Sequence, residues 1–241
     1  MPHILYELAT VKKLLIVNVA ALGLDLVSKT PPPFKGLTFK KLETIFPAVT
    51  CSTQASFRTG RLPNKHGMVA NGRFFPDLKK MMFWEQSARL VDGERIWREF
   101  REKGNRVGLM FWQQGLGEDV DLVLSPKPIH KHVGGIIQDC YSQPHDLYKQ
   151  LTNEIGRPFK LAHYWGPLAS KKSSDWIVKA MIAIMKRSDA PELLIAYLPH
   201  LDYKLQRHGT DSQKGIQALT TVYHYIEYLY SAAKKKDTKS F

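Results

Sequence analysis

Cysteine is scarce in this 241-residue chain: Cys51 and Cys140 are its only two, and they stand far apart. That excludes a disulfide framework and fits a reducing compartment. Acidic residues are also few, 22 against 35 Lys and Arg, which leaves a formal net charge of +13. The excess favours anionic partners: nucleic acid, a membrane surface or phosphorylated small molecules. The basic residues are scattered, however, and only Lys234–Lys236 form a run. A nucleic-acid partner would rest on charge alone and is not expected. Long apolar runs are missing too. The N-terminal apolar stretch is broken by Asn18 and Asp25, and no signal-peptide cleavage pattern is visible. A cytoplasmic protein without a membrane partner is expected. There is no internal repeat.

Core-forming residues are plentiful, with 44% hydrophobic and 11% aromatic. Lys13–Val19 (KLLIVNV) and Leu193–Leu198 (LLIAYL) are short continuous apolar runs of the kind that buried parallel strands carry. Arg106–Trp112 and Val120–Leu124 read as further strands, and Leu161–Trp165 as a short extended segment. Helices are expected over Glu94–Lys103, Asp146–Ile155, Ser173–Arg187 and Ser212–Ala233, the first two stopped by Gly104 and Gly156. Pro126–Pro144 reads as a loop whose His130 and His132, with His145 just beyond, are either solvated or a metal-binding group. Strand–helix alternation predicts an α/β fold with a mainly parallel sheet. In such sheets ligands collect beyond the carboxyl ends of strands. Asn18 stands at one such end, where it faces a ligand or bonds its own turn. The polar cluster Pro199–Gln206 stands at another.

The stretch Phe46–Phe75 has the densest chemistry. Thr50, Cys51, Ser52 and Thr53 open a helix-compatible piece that Gly60 stops, followed by His66-Gly67 and Asn71-Gly72. Hydroxyls at a helix start usually cap it. Four consecutive hydroxyl and thiol residues exceed what one cap needs, so a nucleophile or an anion cradle is expected among them.

The run Phe46-Pro47-x-x-Thr50, then Thr59-Gly60-x-x-Pro63-x-x-His66-Gly67 and Asn71, resembles the nucleotide pyrophosphatase/type I phosphodiesterase group of the alkaline phosphatase superfamily. Similar stretches lie around Asn18, Phe83-Trp84, Trp165-Gly166-Pro167 and Tyr197–Tyr203, so the likeness runs to about Gly209. The resemblance implies a three-layer α/β sandwich over residues 1–233, with 234–241 as a basic tail. It implies a hydrolase acting on a phosphodiester or pyrophosphate. Thr50 matches the family's nucleophile, which attacks phosphorus from a helix N-terminus. Asn71 matches the asparagine that bonds a non-bridging phosphate oxygen. Thr59-Gly60 and His66-Gly67 match framework positions.

The family uses two divalent metal ions, usually zinc. Asp202 matches one ligand. Asn18 stands where the family has an aspartate, and Gln206 where it has a histidine. His200 and His208 lie nearby as possible substitutes. The family's later Asp-His pair and a further ligand histidine have no counterpart before Phe241, so the fold and the metal site are expected to be incomplete without a complementary C-terminal portion. Two readings follow: a phosphoester hydrolase, or an impaired member that binds phosphorylated ligands or acts as a scaffold.

Overall fold

The computed structural model describes residues 13–130 and 136–237. Its main sheet contains β1 (Leu14–Val19), β4 (Val107–Met110), β5 (Leu122–His130), β6 (Ile136–Gln143) and β7 (Leu193–Leu198), in the order β1-β7-β4-β5-β6. β1, β7, β4 and β5 run parallel, and β6 returns antiparallel to β5. A separate hairpin joins β2 (Gly72–Phe75) to β3 (Lys80–Phe83). All six residues of β7 are buried, as its unbroken apolar run requires of a central strand. Among the described residues β1 pairs only with β7, and it stays half-buried throughout.

Helices close both faces. α1 (Leu24–Lys29), α5 (Leu147–Ile155), α6 (Lys171–Lys186), α7 (His200–His208) and α8 (Gln213–Asp237) contribute to a core that includes Met110, Leu124, Leu194, Ala196 and Leu198. Residues of opposite parity, Leu109, Val123, Leu193 and Ile195, pack with Trp97 and Trp112 on the other face. Phe57 of α2 (Thr50–Thr59) and Phe100 of α4 (Arg98–Glu102) complete that second cluster. The one-turn α3 (Pro63–His66) follows α2 directly. The result is the expected α/β architecture in three layers around a mainly parallel sheet.

Several local expectations are corrected. Residues 126–130 and 136–143 are not a loop, because β5 and β6 pair from Val123↔Gln143 to His130↔Ile136. Pro126 and Pro128 suggested a loop, yet β4 pairs with β5 only as far as Leu124. Beyond that point β5 pairs, among the described residues, with β6 alone, and a residue lacking an N–H is tolerated on its other side. His132 lies outside the described residues, and His145 is exposed after the hairpin. Leu161–His163 is a 3₁₀ turn rather than an extended segment, and Pro199–Gln206 is mostly helical, within α7. α8 continues through Asp237, past the start of the expected tail.

One buried ion pair anchors the helix nearest the candidate site. Arg58 of α2 has no exposed side-chain surface and meets Glu118, 3% exposed, at 3.0 Å. It also donates to the carbonyls of Gln113 and Gln114, and Arg95 holds the other Glu118 oxygen at 2.7 Å. Burial pulls the Arg58 guanidinium down to about 10, and Glu118 opposes that shift, so the group stays charged at neutral pH. Removing one partner of such a pair strands the other. Arg58→Met is expected to cost about 3–5 kcal/mol, read as a lowered midpoint in urea denaturation. An unchanged midpoint would mean that the pair does not hold α2.

Candidate active site

α2 starts without a side-chain cap. Val49 is the N-cap residue in extended conformation, and Thr50 is the first helical residue. The expected capping role for the hydroxyl run is therefore not filled locally. The cap comes instead from twenty residues downstream, where Asn71 Oδ1 accepts the Cys51 backbone N–H at 3.0 Å. This leaves the half-buried Thr50 hydroxyl at the positive end of a ten-residue helix, not consumed in capping. It also orients Asn71. With its oxygen turned to the helix, its amide N–H₂ is the end left for a ligand.

The loop that carries Asn71 is held from several directions. The Asn71 carbonyl accepts the Trp84 N–H at 2.9 Å, closing the β2–β3 hairpin behind it. Trp84 has φ +56°, a left-handed conformation that a bulky residue rarely adopts. Its ring lies 6.3 Å from that of Trp165. Cys51, Ala55, Met68 and Val91 form a small apolar cluster beneath. His66, buried at the end of α3, accepts the Met68 N–H on Nδ1, so Nε2 carries the proton and donates to Ser56 Oγ at 2.8 Å. Burial lowers this imidazole. Together with the left-handed Gly60 and Gly67 that stop α2 and α3, this supports the expected framework role of Thr59-Gly60 and His66-Gly67.

The strand ends bring further groups. Asn18 and Tyr197 are direct partners across β1 and β7, with the parity of Ile16 and Ile195, whose face α2 covers. The Tyr197 phenol interacts with the Thr50 side chain and feels the charge of Asp202. Burial raises it well above its ordinary range, so it stays protonated. Gln54, one turn along α2 from Thr50 and 1% exposed, donates Nε2–H to Asn18 Oδ1 at 3.0 Å. Its own Oε1 accepts the Gln113 N–H at 2.7 Å. Asn71 thus meets the first turn of α2, Asn18 meets its second through Gln54, and Tyr197 links Thr50 to the charge of Asp202. Tyr197 and Gln54 make these links without having been assigned a role in the sequence. The signals were present: Tyr197 shares Asn18's strand-end position, and Gln54 lies at the i+4 spacing from Thr50.

The expected metal ligands fit poorly. Asn18 spends its oxygen on Gln54, and Asp202 accepts Gln206 Nε2–H at 2.6 Å. Desolvation raises the Asp202 carboxyl, and the Gln206 bond only partly offsets this. His200 is buried and turned elsewhere, its titration governed by burial and then by Lys204, Asp175 and Lys171. His208 is exposed. Among the described residues no three His, Cys, Asp or Glu side chains gather to hold a metal ion. Burial raises the Cys51 thiol to about 11 and the Cys140 thiol further still, which keeps both protonated at neutral pH.

Burial lowers His200 to about 4 from an ordinary 6.5. The unfolded chain therefore binds a proton that the folded chain refuses in this window. Stability is full above about pH 6.5 and falls as pH drops towards about 4, by roughly 3 kcal/mol at most. Urea denaturation across that range should show the decline, and His200→Asn should flatten it. Equal slopes for both proteins would refute this assignment.

The sequence model described as type I phosphodiesterase / nucleotide pyrophosphatase matches residues 24–241. No curated protein matches. Among solved structures, murine ectonucleotide pyrophosphatase / phosphodiesterase 5 superposes with a TM-score of 0.61 at 20% identity, covering 92% of this chain and 52% of that one. An inactive variant of the same enzyme, in complex with AMP, gives 0.61 at 20% identity, covering 93% and 53%. Phosphonoacetate hydrolase from Sinorhizobium meliloti, in complex with phosphonoformate, gives 0.61 at 16%, covering 91% and 53%. The fold is therefore shared, and the chain spans about half the length of these structures. No helix among the described residues is long and apolar enough to cross a membrane.

Proposed function

The chain belongs to the type I phosphodiesterase / nucleotide pyrophosphatase family, and on that footing we propose that it acts on a phosphodiester or pyrophosphate with Thr50 as nucleophile. The observation that carries this reading is the start of α2, where Asn71 caps Cys51 at 3.0 Å and leaves the Thr50 hydroxyl free of a capping role. Thr50 Oγ1 attacks phosphorus and gives up its proton, the P–O bond to the leaving group breaks with its electron pair and a proton going to the departing oxygen, and the phosphoryl group resides on Thr50 until water displaces it and returns a proton to Oγ1. The free N–H groups of the first helical turn and the Asn71 amide favour the charge that builds on the phosphoryl oxygens. Tyr197, kept protonated by burial, holds the Thr50 side chain in place. The substrate is a phosphorylated small molecule, and the protein works in the cytoplasm with its buried thiols reduced.

A second reading is a family member that binds phosphorylated ligands without turning them over. One observation favours it: neutral Asn18 and Gln206 stand beside the site, each bonded to a neighbouring side chain.

Hydrolysis of bis(4-nitrophenyl) phosphate by the purified protein, with and without added zinc, separates the two. Turnover is expected, and Thr50→Ala should lower kcat by roughly a thousandfold or more. Turnover that survives Thr50→Ala would overturn the nucleophile assignment. AMP binding without any turnover would establish the second reading.

A further inference from the structure

We propose that Asn18 is a second oxyanion donor, opposite Asn71, and that the site takes up a phosphoryl group without a divalent cation. The proposal rests on the reading of Thr50 and Asn71 as phosphoryl-binding residues and extends it to the group that replaces the metal.

The orientation of Asn18 follows from a chain of hydrogen bonds with one fixed end. A backbone N–H can only donate, so the Gln54 atom 2.7 Å from the Gln113 nitrogen is Oε1. The other end of the Gln54 amide is then Nε2, which also can only donate. The Asn18 atom 3.0 Å from it must be the acceptor, Oδ1. What remains of Asn18 is its N–H₂ group, which has no partner among the described residues. Gln54 is 1% exposed, so no solvent exchange loosens the arrangement.

Asn71 is set by the same logic from a separate anchor. The Cys51 backbone N–H fixes Oδ1 and leaves its N–H₂ free. Two amides, oriented independently by two different backbone N–H groups, thus each keep a donor end while held to α2, Asn71 at Cys51 and Asn18 one turn on at Gln54. A cation would meet the positive ends of these dipoles, whereas a phosphoryl oxygen would meet donors suited to it. Asp202 adds one carboxylate to these amides, and among the described residues no three His, Cys, Asp or Glu side chains gather that could hold a cation.

The test uses Asn18→Asp, which can still accept from Gln54 and so keeps the fold, while replacing the donor end with a carboxylate oxygen. Inorganic phosphate is titrated calorimetrically into wild type and variant, in EDTA and in zinc, with thermal melting as the check on folding. Wild type is expected to bind phosphate in EDTA, and Asn18→Asp to bind it roughly tenfold more weakly or worse. Equal binding by the variant in EDTA would overturn the role of Asn18 and leave the Thr50–Asn71 reading standing. The proposal would likewise fail if wild type bound only in zinc, or if Asn18→Asp gained tight zinc-dependent binding, because Asn18 would then be a weakened metal ligand. No phosphate binding under either condition would sink both this proposal and the reading beneath it.

Discussion

Everything at the candidate site depends on where α2 is held, and α2 is held by buried polar bonds rather than by apolar contact alone. Arg58 reaches from its last turn into the segment after β4, where two carbonyls and Glu118 receive it. Gln54, one turn nearer the N-terminus, ties the same segment to the end of β1. A ten-residue helix held only by apolar contacts, Cys51 and Ala55 in one cluster and Phe57 against another, could slide or rotate by a fraction of a turn. Directional bonds with fixed acceptors forbid that, because a displaced Arg58 would leave a buried charge unpaired. The Thr50 hydroxyl and the free N–H groups around it are positioned as a consequence.

The sheet contributes its own constraint. Strand alternation sends Asn18 and Tyr197 to the face that α2 covers, and parallel register places them side by side. α7 begins directly after β7, so Asp202 comes close enough to influence Tyr197. Chemistry at the carboxyl ends of parallel strands is a general outcome of this topology. Here the groups delivered there are mostly neutral amides and hydroxyls, and their hydrogen bonds to one another define which ends remain free.

Much of the scaffold was legible in the sequence because its signals are local. The runs LLIVNV and LLIAYL became β1 and β7, and the amphipathic pattern closed by Gly156 became α5. Thr50 and Asn71 could be singled out from spacing and resemblance, and the structure brings both to the start of α2. The β5–β6 hairpin was not legible. Its prolines argue against a strand unless one knows that β4 stops pairing at Leu124, which is a tertiary fact. The surroundings of His200 were not legible either. Its place in a polar cluster suggested a ligand, yet its buried ring answers to Lys204, Asp175 and Lys171.

By itself the sequence determined the α/β class, the family, and the residue types available at the site. These follow from periodicity, turn residues and motif spacing, all of which act over a few neighbours. Only the tertiary structure decided how those residues face. Asn18 could have been a poor metal ligand or a turn-bonding side chain while its amide could point either way. Contacts from Gln54, 36 residues on, and through it from Gln113, a further 59, decide which end is free. Such bonds depend on packing distant segments together, because an amide's two ends differ little in shape and are told apart only by the partners brought to them.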